Sequence, residues 1–108
     1  MKARNLHEKS RPPTCGCKSW LEHWENNSGQ TAGSCSVLDC EKPADDGGHV
    51  QITEVDDNSL LGLQASRDNA WYIIPLCHRC NLKYGQEYEV KPGTIFVPVG
   101  KTSNCGKG

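Results

Sequence analysis

Residues 48–55 alternate most clearly. Val50 and Ile52 fall on one face and His49, Gln51 and Thr53 on the other, which predicts a strand. The run 71–76, Trp-Tyr-Ile-Ile-Pro-Leu, is β-prone and predicts a second strand paired with the first. The polar stretch 56–69 between them reads as a loop. Residues 18–27 predict a helix. Ser19 followed by Glu22 is a capping-box pattern, and Asn26, Asn27 and Gly29 end the segment. Trp20 and Trp24, four apart, share one face of it, with Leu21 and His23 beside them. This pair either anchors the helix on the core or forms an exposed binding face. Residues 33–40 read as a short strand or knuckle, and 41–47 as an acidic turn. Residues 77–85 start with a cysteine pair and continue as a short helix ended by Gly85. A last strand is expected at 94–99.

The ends are polar. Residues 1–14 run to Pro12-Pro13 and read as a flexible basic arm or an ordinary frayed terminus. Residues 101–108 read as a flexible tail, which leaves 15–100 as one domain.

Composition explains how so small a domain holds together. The 108 residues are 35% hydrophobic, with a single Phe, so the core is thin and needs a staple. Seven Cys and four His make a disulfide or a metal available. No run approaches the ~20 apolar residues of a membrane span, and no apolar stretch follows the basic start, so an export signal is not expected. With an odd cysteine count, these features point to metal-bound thiolates in a reducing cytoplasm.

Two pairs carry the strongest chemical signal, Cys35-x4-Cys40 and Cys77-x2-Cys80. Zinc takes four ligands in a tetrahedron and suits soft thiolates. Two ligands from a turn and two from a helix start place four sulfurs around one point. A helix N-terminus also favours thiolates at Cys77 and Cys80.

Cys35-x4-Cys40, Gly48-His49-Val50 and Ile74-Pro75-Leu76-Cys77-His78-Arg79-Cys80-Asn81 together resemble the zinc-bearing HNH nucleases of the treble-clef, or ββα-metal, class. The resemblance spans about 35–85. The helix at 20–24 followed by 47–50 and 71–77 is also similar to small bacterial proteins of no established activity. The resemblance implies an α+β fold, a small zinc-stapled treble clef with a β-hairpin and short helices. It further implies that His49 is the general base on a phosphodiester, and that Asn81 binds Mg²⁺ or Mn²⁺. The chain departs from that pattern at three places. Gly48 stands where an acidic metal ligand precedes the His, with Asp46 as a possible substitute. Tyr72 stands at the middle Asn, with Asn69 as the displaced alternative. Asn81 replaces the last His. These departures favour a non-catalytic module that binds nucleic acid or protein, with a metal-dependent endonuclease as the alternative.

The alternatives for His49 are a structural role or that of an alternative zinc ligand. His78 reads as solvated, and Arg79 and Lys83 as a solvated face or phosphate contacts. Cys15-x-Cys17 is too tight for an easy disulfide. With His23 it makes a possible second zinc site, or it packs as small apolar groups; Cys105 is a poor fourth ligand.

Net charge is -1, from 12 Lys+Arg and 13 Asp+Glu. Residues 1–18 hold five basic groups against Glu8 alone, whereas 39–57 hold seven acidic groups against Lys42 alone. Any nucleic-acid binding is therefore expected to be weak, salt-sensitive and led by the N-terminal end. A protein partner is the other possibility. A monomer with no membrane association is expected.

Overall fold

A computed structural model describes residues 1–6, 19–54 and 71–99. The expected loop at 56–69, the tail at 101–108, residues 7–14 of the expected arm, and Cys15, Cys17, Asn69 and Cys105 lie outside these residues.

The elements run β1 (Lys2–Asn5), α1 (Trp20–Ser28), β2 (Asp46–Glu54), β3 (Tyr72–Leu76), α2 (His78–Asn81), β4 (Glu87–Glu89) and β5 (Val97–Pro98). The strands form one antiparallel sheet in the order β4-β1-β2-β3-β5. The architecture is α+β-like: a sheet, two helices and a cluster of four cysteines. None of the described helices is long and apolar enough to cross a membrane.

The helix α1 forms where the capping pattern predicts. The Ser19 hydroxyl accepts the Glu22 N–H at 3.1 Å, and Gly29, at φ 74°, ends the helix with its N–H on the Glu25 carbonyl. The tryptophan pair faces the sheet. Trp24 is buried with Ile73 and Val97, and its indole N–H donates to the Ile95 carbonyl at 2.8 Å. Trp20 is half-buried against the same cluster. The exposed-face alternative fails for Trp24, because its only polar atom is already satisfied inside the fold.

β2 and β3 pair in register, with His49 opposite Ile73 and Gly48 opposite Ile74. Neighbouring side chains on a strand point to opposite faces, and here each face is covered by something different. A Cβ on Gly47 would lie 2.5 Å from the Trp20 carbonyl carbon, so Gly47 and His49 face α1. A Cβ on Gly48 would meet the Leu76 side chain and lie 3.0 Å from Asn81 Oδ1, so Gly48 faces α2. Val50, Ile52, Tyr72, Ile74 and Leu76 join the larger core cluster with Cys35, Cys77 and Cys80. Every residue of β3 is buried because both faces are covered; each such aliphatic side chain contributes roughly 2 kcal/mol.

Residues 2–5 depart from the expected arm. They form β1, an interior strand between β2 and β4. The four residues are polar in composition, yet Ala3 and Asn5 are fully buried while Arg4 is exposed. Alternation over so short a run is masked by Lys2 and Arg4. The expected last strand is shorter than 94–99, with Pro98 at the sheet edge, where a missing N–H is tolerated.

The close approach at Gly47 generates a test. Gly47→Ala should push α1 off the sheet and cost about 3 kcal/mol. Gly33→Ala, whose Cβ would have nothing within 4 Å, should be near neutral. Thermal melts of both variants measure the difference.

Candidate metal centre

Two pieces of chain bring the cysteines together. The first is a knuckle over 33–44, closed by the Cys35 N–H on the Lys42 carbonyl and the Ala44 N–H on the Gly33 carbonyl. At its tip Asp39 adopts φ 69° and the Cys40 N–H donates to the Val37 carbonyl at 3.0 Å. The turn folds Cys40 back over Cys35. The second is the start of α2. Cys77 is its N-cap residue, and its sulfur accepts the Cys80 N–H at 3.4 Å. Extended Cys77 and helical Cys80 thereby present their sulfurs to the same side.

The four Sγ atoms of Cys35, Cys40, Cys77 and Cys80 all lie within 4.8 Å of one another. Cys40 and Cys77 are 3.9 Å apart, close to the ~3.8 Å edge of a tetrahedron with metal–sulfur bonds of about 2.3 Å. The donor set fits one metal ion. Cys35, Cys77 and Cys80 are buried and Cys40 is half-buried.

Without a metal these thiols ionise unequally. Burial pushes Cys35 up from the ordinary thiol value, against the N–H groups of Cys77 and Val37. Burial also pushes Cys80 well up, helped by its bond to Cys77 and the charge of Cys35. At Cys77 burial acts upward too, but the Cys80 N–H and the neighbouring thiols donate to its sulfur and bring it below the ordinary value. The fold therefore holds the Cys35 and Cys80 sulfurs protonated until an ion replaces their protons.

Supports outside the ligand set fix the geometry. Asn5 is fully buried, and its Nδ2 donates to the carbonyls of Cys80 and Asn81 at 3.2 and 2.8 Å. The Tyr88 hydroxyl donates to the Cys80 carbonyl at 2.8 Å, and burial near the thiols pushes its pKa up to about 12. Lys91 Nζ donates to the Cys40 carbonyl at 2.6 Å and to Ser34 Oγ at 3.1 Å. Sequence reasoning missed all three. Only a chain-wide pairing of β1 with β4 places Asn5 and Tyr88 under α2.

The other expected site residues divide between the two faces of β2. Asp46 and Asn81 meet: Asn81 Nδ2 donates to Asp46 Oδ2 at 3.1 Å. His78 joins them with Nδ1 2.8 Å from the same oxygen, and that carboxylate raises the imidazole pKa. His78 is exposed but paired, not simply solvated. His49 lies on the opposite face, edge-on to Trp20 at 4.7 Å and to Trp71 at 6.1 Å between ring centroids. It joins neither Asn81 nor the sulfur cluster. His23, expected as a third ligand beside Cys15 and Cys17, is fully buried. Its Nε2 is 2.9 Å from the Pro98 carbonyl; a carbonyl only accepts, so Nε2 carries a proton and is not available to a metal.

Comparison with protein-family models, with curated proteins and with solved structures finds no match.

Two outcomes follow from the centre. Cys35 and Cys80 each give up a proton on binding, so protons compete with the ion and affinity falls as pH falls. Between pH 8 and 6 the loss should be at least about a hundredfold per pH unit, measured by competition with a chelator of known affinity. Asn5→Ala should cost about 2 kcal/mol by removing the side-chain donor of the half-buried Asn81 carbonyl and one of the donors of the Cys80 carbonyl. Thermal melting reads that loss, and metal content should stay at one ion per chain.

Proposed function

We propose that this chain is a zinc-held, HNH-like treble-clef module that binds a partner and does not cleave phosphodiesters. The observation that carries this reading is the separation at β2: four sulfurs converge on one side, while His49 lies on the other, away from Asp46 and Asn81. A general base and a metal ligand for one phosphate have to reach the same few ångströms of space. Asp46, moreover, already accepts hydrogen bonds from Asn81 and His78.

Zinc is the favoured ion because four thiolates are soft donors. Mg²⁺ and Ca²⁺ take oxygen, and zinc is indifferent to d-electron geometry. Its role is structural, since all four positions are filled by protein and none is left for water. A reducing cytoplasm keeps such thiolates available.

The charge distribution favours a protein partner over nucleic acid. Lys2 and Arg4 are built into β1, so they do not belong to a free basic arm. The knuckle adds Asp39 and Glu41 beside a centre that carries a formal charge of about -2 when four thiolates hold Zn²⁺.

Supercoiled plasmid incubated with zinc-loaded protein and Mg²⁺ or Mn²⁺ tests the reading. No nicking is expected above the protein-free control, and His49→Ala should lower the melting temperature without altering that result. Metal-dependent nicking that disappears in His49→Ala would restore the endonuclease alternative.

A further inference from the structure

An open groove of about 370 Å³ runs between the knuckle and α2, directly over the sulfur cluster. Cys40, the one ligand that is not fully buried, lies in its wall together with Cys77 and Cys80. The volume falls at the lower end of ligand clefts, which span about 300–1,000 Å³.

We propose that this groove docks a short acidic peptide segment of a partner protein, with an apolar side chain against Leu38 and a carboxylate on Arg79 and Lys83. This rests on the reading of the chain as a metal-held module, because the groove exists only where the cysteines hold its two walls together.

Three observations support this occupant. First, Leu38 is 41% exposed in the groove wall. The other large apolar side chains exposed among the described residues, Leu82 and Tyr84, flank Lys83. Of these three, Leu38 alone lines the groove and supplies its apolar contact. Second, Lys42, Arg79 and Lys83 line the groove, are exposed, and form no ion pair among the described residues. Lys91, by contrast, is committed to the knuckle carbonyl and to Glu41. Lys42 shares the knuckle wall with Asp39 and Glu41, so Arg79 and Lys83 on the opposite wall are the pair that can take the carboxylates of an acidic, apolar-anchored ligand. Third, the same groove is a poor track for nucleic acid. Asp39 and Glu41 stand in its knuckle wall, and the thiolate centre beneath is itself negative. A nucleic acid brings a phosphate at every nucleotide and would meet those charges. A peptide can place one or two carboxylates on the α2 wall alone.

The test uses the full chain loaded with zinc. Metal content and a thermal melt are measured on the same sample before binding, so that loss of the metal-held fold is read separately from loss of the groove. A displayed library of random dodecapeptides is selected on this sample and counter-selected on the double variant Arg79→Ala/Lys83→Ala. Enriched sequences should pair Leu, Ile or Phe with Asp or Glu. Synthetic copies should bind at least tenfold more weakly to the double variant and to Leu38→Ser, and should shift amide resonances of 37–42 and 79–88. The variants replace exposed side chains, and their own melts confirm that they fold. A folded, zinc-loaded chain that enriches nothing overturns the proposal. So does enrichment that is indifferent to these substitutions. A single-stranded oligonucleotide that shifts the same amides with higher affinity than any selected peptide also overturns it, in favour of nucleic acid. A sample that stays folded without metal overturns the metal-held reading instead.

Discussion

Four sulfurs within 4.8 Å of one another are the constraint on which the described structure depends. They fasten a knuckle at 33–44 to a helix start at 77–80 and place both against the sheet. The larger core cluster includes three of the cysteines themselves. In a chain with so little aliphatic material, the same residues act as ligands and as core. Burial then cuts two ways: it raises the thiols at Cys35 and Cys80, and it shields the bound state from water once a cation has displaced the protons. Asn5, Tyr88 and Lys91 extend the constraint outward by holding the carbonyls of Cys80, Asn81 and Cys40.

The sheet divides two tasks between its faces. On one face α1 lies so close to β2 that only glycine fits at position 47, and the tryptophans and His49 pack in its shadow. On the other lie the cysteines, α2 and the Asp46–His78–Asn81 cluster. Residues 48 and 49 are adjacent in sequence and open onto different surroundings. His49 and the Asp46–Asn81 pair, which a shared catalytic site would need side by side, are carried by the strand to opposite sides. A groove over the metal centre brings exposed Leu38 together with Arg79 and Lys83.

Much of this was legible in the sequence, for reasons that can be named. The alternation at Val50 and Ile52, the β-prone run of β3 and the cap at Ser19 are local signals, and each forms where it was read. The two cysteine pairs are legible because ligand spacing is short-range chemistry. β1 and β4 were not legible. Each is three or four residues long and heavily charged, and each is a strand only because distant chain lies beside it: β1 pairs with β2 and β4, and β4 pairs with β1 across more than eighty residues. A separation of 75 residues or more hid Asn5, whose amide donates to no neighbour in sequence that would announce its role. The facing of His49 was half-legible. Its parity with Gln51 and Thr53 was clear, but what covered that face depended on a helix twenty-odd residues away.

X-ray absorption at the zinc edge of the purified protein tests the central claim most directly. One zinc per chain with four sulfur scatterers at about 2.3 Å is the result expected for the Cys35, Cys40, Cys77 and Cys80 centre. Fewer than four sulfurs, or nitrogen and oxygen scatterers near 2.0 Å, would contradict it.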